Sequence, residues 1–263
     1  MRKNIAKLYD EHSIMLKPLV NEVKKNVKKE NTIIDLGCGT GVYIKLLEKQ
    51  VGKNGKVIGI DKDNEMIKFC KKKFKENKIV LKKLSAENLS RLNKKVDVVF
   101  SSLVLHFTNI EKSLFEIRKI LKSNGKFIFA VPLYRSGIEV FDSKESKKFR
   151  SEFVKNLKNE MGKEDIKKKF SLDYANNREK IFKKILQKNK FRILNWKVAS
   201  LEKANLKVLL EYFKISWRSE KLLPIPFSIR YKILTTVLKN TFDKYPNFNS
   251  NRYYLVCTAS KNE

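Results

Sequence analysis

The sequence predicts an α/β protein built on a mostly parallel β-sheet, and two observations support this fold class. Short apolar runs alternate with segments of helical spacing five times between residues 32 and 131. The apolar runs are nearly continuous, which is typical of strands that are buried on both faces of a parallel sheet. Such alternation indicates a doubly wound sheet with helices on both faces and right-handed crossover connections.

The five predicted strands of this region share a short apolar run. They are Thr32–Leu36, Lys56–Asp61, Lys78–Lys82, Val96–Phe100 and Lys126–Val131. The helices between them have apolar residues at helical spacing, and the clearest are Val42–Gln50, Asn64–Lys75 and Ile110–Leu121. Gly125 follows the last of these helices, so we expect it to stop the helix at a positive φ.

The remainder of the chain is predicted to be mainly helical, with two further strands. Polar helical patterns cover residues 1–30, and charged helical patterns cover most of residues 136–190. The two further strands are Phe191–Val198 and Asn251–Ala259. The amphipathic helices predicted between these strands are Leu201–Trp217 and Phe227–Phe242.

The chain of 263 residues has a formal net charge of +31, from 59 Lys and Arg against 28 Asp and Glu. Most of the basic residues are Lys, and the charge is spread evenly over both halves, so no basic tail or polarised domain is indicated. Lys, Asn, Ile and Phe all have A/T-rich codons, which gives much of this charge a compositional origin. A basic surface nevertheless suits an anionic partner.

Cysteine usage and hydropathy indicate the compartment. Cys38, Cys70 and Cys257 are far apart in sequence, which favours a reducing, cytoplasmic environment and predicts neither a disulfide framework nor a metal site. No apolar run reaches the roughly 18 residues that a membrane-spanning helix needs. Residues 1–7 lack the apolar core of a signal peptide.

The most informative motif follows the first strand and reads Asp35-Leu36-Gly37-Cys38-Gly39-Thr40-Gly41. Alternate glycines let a ligand approach the backbone closely, and the helix that follows presents free N–H groups. Asp61 ends the second strand, where a carboxylate can accept both hydroxyls of a ribose. Ligands of open α/β sheets bind at these carboxyl ends of the strands.

A dinucleotide-binding loop is the alternative interpretation of this motif, and its spacing does not match. The dinucleotide fingerprint is G-x-G-x-x-G, whereas here the third glycine, Gly41, comes one residue early. Asp35 directly before the loop suits an amine-bearing or cationic ligand better than a pyrophosphate.

These motifs resemble those of the class I S-adenosylmethionine-dependent methyltransferases, in order along residues 30–135. Asp35–Gly41 matches the first motif, Asp97–His106 the fourth-strand motif and Leu121–Phe127 the signature before the fifth strand. The resemblance implies a Rossmann-like, doubly wound, seven-stranded sheet with helical lid insertions and S-adenosyl-L-methionine as cofactor. The residues that it assigns to the cofactor are Asp35, Gly37, Cys38, Gly39, Thr40, Gly41, Asp61, Lys62, Met66, Ser85, Ala86, Glu87 and Ser101.

The resemblance also implies individual roles within this set. Asp61 binds the ribose, Met66 packs on the adenine, and Ser85-Ala86-Glu87 lies where the family reads the adenine edge. The family usually has Asp at the position of Ser85. The Ser85 hydroxyl or the Glu87 carboxylate is therefore expected to make the adenine contact.

Two regions outside the core resemble a narrower group of methyltransferases, which includes quinone C-methyltransferases and malonyl-acyl-carrier-protein O-methyltransferases. The Tyr9–Asp10 region resembles the N-terminal helix whose Tyr closes over the cofactor. Phe191–Phe213 resembles the sixth strand and lid helix of the malonyl enzyme. The group implies a small-molecule or carrier-protein-bound acyl acceptor. It gives four segments: an N-terminal helical cap at 1–30, a cofactor-binding core at 31–135, a helical insertion at 136–190, and two strands with a helical acceptor lid between them at 191–263.

His106 and Tyr9 are the candidate catalytic residues. A hydroxyl or acidic carbon acceptor needs a general base, and His106 is the candidate by position. A carboxylate acceptor needs no base, and His106 would then be a polar residue of the pocket wall.

Two other functions remain open at this point. The charge of +31 allows an RNA methyltransferase, although Ser101–Val104 lacks the Asn/Asp-Pro-Pro-aromatic tetrad of enzymes that methylate exocyclic base nitrogens. An acidic carrier protein would also bind a basic surface. A non-catalytic scaffold that keeps the fold is the third hypothesis. The sequence carries no indication of the oligomeric state.

Overall fold

The computed structural model describes most of the chain. The residues that it describes are 3–11, 13, 15–74, 79–133, 144–161, 178–204, 206–207, 209–210, 225–248 and 250–261. The chain divides into two compact units. The first consists of Met1–Pro132, Glu179–Ala199 and Tyr254–Glu263, and the second of Leu133–Arg178 and Ser200–Tyr253. The earlier division into four segments stays a prediction.

A seven-stranded sheet confirms the predicted Rossmann-like fold. The strands are β1 Thr32–Leu36, β2 Lys56–Asp61, β3 Val80–Lys83, β4 Val96–Ser102, β5 Leu121–Pro132, β6 Phe191–Ala204 and β7 Ser250–Lys261. Their order is β3-β2-β1-β4-β5-β7-β6. The neighbouring pairs among β1 to β5 are parallel, and β7 is antiparallel to β5. The carboxyl ends of β1, β2, β3 and β4 therefore share one edge.

Eight α-helices have both of their bounds within the described residues. They are α1 Lys3–Glu11, α2 Lys17–Asn26, α3 Ile44–Val51, α4 Asn64–Lys73, α5 Ile110–Ile120, α6 Lys144–Met161, α7 Arg178–Lys188 and α8 Phe227–Lys244. Two of these helices have a side-chain N-cap. The Asp63 carboxylate caps α4 by accepting from the Glu65 N–H at 2.8 Å, and the Asn109 side chain caps α5. Such caps satisfy N–H groups that lack a helical partner. None of the described helices is long and apolar enough to cross a membrane.

The core of the first unit consists of the apolar strand residues, of which Ile33, Val99 and Phe127 are fully buried. One buried acidic residue, Glu22, forms hydrogen bonds to two strands of the sheet. The Glu22 carboxylate of α2 accepts hydrogen bonds of 2.5 Å from the Thr258 hydroxyl of β7 and from the Asn195 amide of β6. Hydrogen bonds offset the cost of burying a polar group, and these two connect α2 to β6 and β7.

The second unit has a hydrophobic cluster of its own. The rings of Phe149 and Phe248 stack with centroids 3.7 Å apart, and Phe242 meets Phe149 edge-on. The other buried members are Phe153, Leu157, Leu209, Leu234, Val237 and Leu238. α6 and α8, predicted from amphipathic patterns, are the helices that supply most of these side chains.

Two details of the sequence prediction are wrong. α5 ends at Ile120, and Gly125 lies within β5 and is not among the glycines with positive φ. Gly125 is required for close approach, because a Cβ there would lie 2.9 Å from both the Leu121 side chain and the Lys122 carbonyl. β6 continues to Ala204, so no helix begins at Leu201. Residues 206–207 and 209–210 are helical, whereas 162–177 of the insertion and 211–224 lie outside the described residues.

Candidate cofactor and active site

The glycine loop between β1 and α3 is fastened to the end of β2. The N–H groups of Gly37 and Cys38 both donate to the Ile60 carbonyl, at 2.7 and 2.9 Å. The Gly39 N–H donates to Asp61 Oδ2 at 2.9 Å. These bonds bring the loop and the Asp61 carboxylate together at the carboxyl edge of the sheet, as the sequence predicts.

The glycines of this loop serve different purposes. Gly37 has φ +71°, and a Cβ there would lie 2.1 Å from Val104 Cγ2. A Cβ on Gly41 would lie 2.5 Å from the Phe74 ring. Gly39 has φ +53°, and a Cβ there would meet only the Tyr9 ring, at 3.4 Å, among the side chains that the structure describes. Internal packing therefore requires Gly37 and Gly41, whereas Gly39 borders open space under Tyr9 where a ligand can approach.

Three buried polar atoms at this edge have no hydrogen-bond partner among the described residues. They are Asp35 Oδ2 at the end of β1, Thr40 Oγ1 in the loop and Ser101 Oγ in β4. Buried polar groups in proteins are nearly always paired, so their grouping here fits a polar ligand that supplies the partners. An amine-bearing cofactor such as S-adenosylmethionine has the groups that these atoms need.

Two carboxylates dominate the electrostatics of the site. Burial, together with the nearby Asp61 carboxylate, raises the pKa of Asp35 from its ordinary 3.8 to about 8. Burial also raises the pKa of Asp61, although hydrogen bonds from the Asp63 and Gly39 N–H groups oppose that rise. A cation bound between them would favour the ionised form of both groups.

The predicted adenine region is built around Glu87. The Ser85 hydroxyl donates to the Glu87 carboxylate, and the Asn109 N–H donates to Glu87 Oε1 at 2.9 Å. Burial opposes ionisation of Glu87, but these hydrogen bonds outweigh it and hold its pKa below the ordinary value. The Leu84 N–H donates to the Asp61 carbonyl at 2.9 Å, which connects this region to the residue that also binds the glycine loop. Ser85 and Glu87 are thus hydrogen-bonded to each other, and the residue that contacts the adenine stays a prediction.

Tyr43 is a residue of the site that sequence reasoning missed. Its ring packs on Phe100 with centroids 4.8 Å apart, and its hydroxyl accepts from the Leu16 N–H at 2.8 Å and from Ser102 Oγ at 3.4 Å. Burial raises the pKa of Tyr43, and the Asp35 carboxylate adds to that rise. The Tyr43 hydroxyl therefore joins the segment before α2 to the end of β4, close to Asp35. A tyrosine after the loop is indistinguishable in sequence from an ordinary core aromatic.

The other predicted residues lie around this centre. Lys62 is exposed directly after β2, Met66 is half-buried on α4, and Ala86 is buried beside Ser85. His106 is half-buried in a short 3-10 helix, Leu105–Phe107, with its ring 3.8 Å from the Phe107 ring.

Cys38 is buried in the loop, and a hydrogen bond with Cys70 together with burial raises its pKa, which disfavours a thiolate nucleophile. Within the described ranges, no group of three His, Cys, Asp or Glu could hold a metal ion.

Comparisons with known proteins identify the family to which the chain belongs. A family model described as a methyltransferase domain matches residues 27–214. The chain is 29% identical over 133 residues to a malonyl-[acyl-carrier protein] O-methyltransferase of Priestia megaterium, which covers 48% of each chain. It is 25% identical over 154 residues to a ubiquinone/menaquinone biosynthesis C-methyltransferase of Wigglesworthia glossinidia brevipalpis, which covers 53% of this chain and 62% of that one.

Solved structures show the same fold. Phosphoethanolamine N-methyltransferase 2 of Haemonchus contortus, in complex with S-adenosyl-L-methionine, superposes with a TM-score of 0.56 at 16% identity, covering 99% of this chain and 57% of that one. At this identity the likeness concerns the fold alone. Three further curated relatives are matched over only 37% to 40% of their own length.

We predict that Gly39→Ala weakens S-adenosylmethionine binding by about tenfold or more while the protein still folds. A methyl group there projects into the open space under Tyr9, and the left-handed φ adds about 1–2 kcal/mol of strain. Calorimetric titration measures the binding, and thermal unfolding measures the fold. Gly37→Ala is the matched control, because its methyl group collides with Val104 and should lower the melting temperature much more. Unchanged binding by Gly39→Ala would contradict this assignment.

We predict that the cofactor-free protein loses stability as the pH rises from about 4 to about 8 because of Asp35. In that range the unfolded chain ionises Asp35 while the folded protein keeps it protonated, so the unfolded state binds fewer protons. Asp35→Asn should therefore melt at a higher temperature than the parent at pH 9, and the gap should shrink towards pH 4. Parallel melting curves across this pH series would show that Asp35 is not the group responsible.

Proposed function

Because this chain belongs to the class I S-adenosylmethionine-dependent methyltransferases, we propose that it transfers the cofactor's methyl group to a carboxylate of a small or carrier-bound acyl acceptor. The observation that carries the cofactor assignment is the group of buried, unpartnered oxygens of Asp35, Thr40 and Ser101 beside the Asp61 carboxylate. A malonyl-acyl-carrier-protein acceptor is the specific form of this proposal.

In the proposed complex, different residues at the carboxyl edge of the sheet bind different parts of the cofactor. The Asp61 carboxylate accepts the ribose hydroxyls, and Ser85 with Glu87 binds the adenine edge, with Met66 and Ala86 packed beside it. Asp35 and the backbone of Gly39 bind the methionine end of the cofactor. The flanking members of the site are Gly37, Cys38, Thr40, Gly41, Lys62 and Ser101.

The methyl transfer requires little of the protein beyond the positioning of the two substrates. The bound cofactor supplies a methyl group that its sulfonium already activates for in-line displacement. The protein must hold the acceptor in line and exclude water, which together account for much of the rate in such reactions. The Tyr9 ring lies 3.4 Å from the position of a Cβ on Gly39, which supports a covering role for Tyr9.

Two observations support an anionic acyl acceptor. The net charge of +31 favours an acceptor or carrier of negative charge. The malonyl-acyl-carrier-protein relative acts on such a carrier.

The test is transfer of label from methyl-labelled S-adenosylmethionine to malonyl-acyl carrier protein, to free dicarboxylic acids or to bulk RNA. We expect label in the acyl acceptors, in a form that mild base releases as methanol.

The Asp61→Ala variant should lose most of this transfer, because the ribose hydroxyls lose a charged acceptor. Asp63→Asn is the control. It neutralises the exposed acid two residues away and can keep the helix cap, so it should transfer label as the parent does. Label in RNA alone would favour the RNA methyltransferase. No cofactor binding at millimolar concentration would favour a scaffold.

We predict that His106→Ala lowers the transfer rate to the carboxylate acceptor by no more than about threefold. A carboxylate is already deprotonated at neutral pH, so no general base is needed. The measurement is the steady-state rate between pH 6 and 9. A loss of about 100-fold or more, with the parent's rate rising through the titration of a histidine, would instead assign His106 as a base for a hydroxyl or carbon acceptor.

A further inference from the structure

We propose that the ion pair between Asp10 and Lys73 is a latch that holds α1 over the glycine loop and controls how fast the cofactor leaves. This inference rests on the proposed binding of S-adenosylmethionine at this loop and is independent of the methyl acceptor. Asp10 and Lys73 are positioning residues, because they act on the cofactor through the segments that they join.

The pair connects two distant parts of the first unit. Asp10 Oδ1 lies 2.6 Å from Lys73 Nζ, although the residues are 63 positions apart in sequence. Their side chains are 25% and 34% exposed, respectively, so the pair is partly shielded from solvent. Lys73 is the last residue of α4, where a cation also interacts favourably with the helix dipole.

Both ends of the latch are adjacent to residues that cover the glycine loop. Tyr9 precedes Asp10, and its ring lies 3.4 Å from the position of a Cβ on Gly39. Phe74 follows Lys73, and its ring lies 2.5 Å from the position of a Cβ on Gly41. The ion pair therefore joins the covering residue on one side of the loop to the supporting residue on the other.

α1 is a short helix. It has nine residues, and helices shorter than about 12 residues are marginal in water without tertiary contacts. Among its described side chains only Ala6 is buried, whereas Lys7 and Glu11 are exposed and Tyr9 is half-buried. Short terminal helices of this kind can open and close on the time scale of ligand exchange.

The charge of its surroundings makes Asp10 important for this closure. The last turn of α4 contains Lys71, Lys72 and Lys73. Asp10 is the carboxylate of α1 that pairs with this basic turn, and its substitution by Asn removes that pairing. Loss of the charge should therefore shift the equilibrium of α1 towards the open state.

The experiment measures the dissociation rate of tritiated S-adenosylmethionine from the intact protein during a chase with excess unlabelled cofactor. We expect Asp10→Asn and Lys73→Met each to raise this rate by about three- to tenfold, and the double variant to raise it no further. The exchanged pair, Asp10→Lys with Lys73→Asp, should restore a rate close to that of the parent. Glu11→Gln is the matched control, because Glu11 pairs at 3.9 Å with exposed Lys7 of the same helix, and its rate should not change.

Salt gives a second readout. Raising sodium chloride from about 0.05 to about 0.5 M should speed dissociation from the parent and the exchanged pair more than from the double variant, because only the former two have the ion pair between positions 10 and 73 to screen. Comparison between variants cancels the effect of salt on a cationic cofactor near a basic protein.

The outcomes separate the latch from the function on which it rests. A parent that does not bind S-adenosylmethionine would refute the proposed cofactor site and the latch with it. A parent that binds, with unchanged rates in Asp10→Asn and Lys73→Met, would overturn the latch alone. Faster dissociation that follows a fall in melting temperature, without recovery in the exchanged pair, would also overturn it in favour of a purely structural contact.

Discussion

The hydrogen bonds between the glycine loop and the end of β2 are the constraint on which the rest of the site depends. Two loop N–H groups share the Ile60 carbonyl, and a third reaches the Asp61 carboxylate. Once the loop is fixed there, Gly37 packs on Val104 and Gly39 lies under Tyr9. The Asp61 carboxylate thus shapes the loop with the same oxygens that the proposed function directs to the ribose.

The site is acidic within a strongly basic protein. Asp35 and Asp61 are close enough to raise the pKa of Asp35, and burial adds the larger effect. A cationic cofactor would offset both the burial of these carboxylates and their mutual repulsion, which explains why the two can lie at one edge of the sheet. The basic surface, with its charge of +31, is then left for a partner of opposite sign. In the proposed reaction the acidic site would bind the cationic cofactor, and the basic surface would bind the anionic acceptor.

The predictable part of the site is the part encoded by neighbouring residues. The motif Asp35–Gly41 is contiguous, and Asp61 and Ser85 follow strands whose carboxyl ends meet in any parallel sheet. Tyr43 was missed because its two hydrogen bonds go to residues 27 and 59 positions away. The prediction that Gly125 stops a helix is wrong. Gly125 lies in β5, where the Leu121 side chain and the Lys122 carbonyl leave no room for a Cβ, and helical spacing does not reveal such a contact.

The sequence by itself determined the fold class, the loop and the carboxylates of the predicted cofactor site, because apolar periodicity and glycine spacing directly encode backbone conformation. Tertiary structure alone decided which glycine of the loop borders open space, that Ser85 and Glu87 are hydrogen-bonded to each other, and that Asp10 forms an ion pair with Lys73. Each of these depends on side chains that folding brings together from distant positions. Their partners are chosen by packing and burial across the sheet edge, for which local sequence carries no signal.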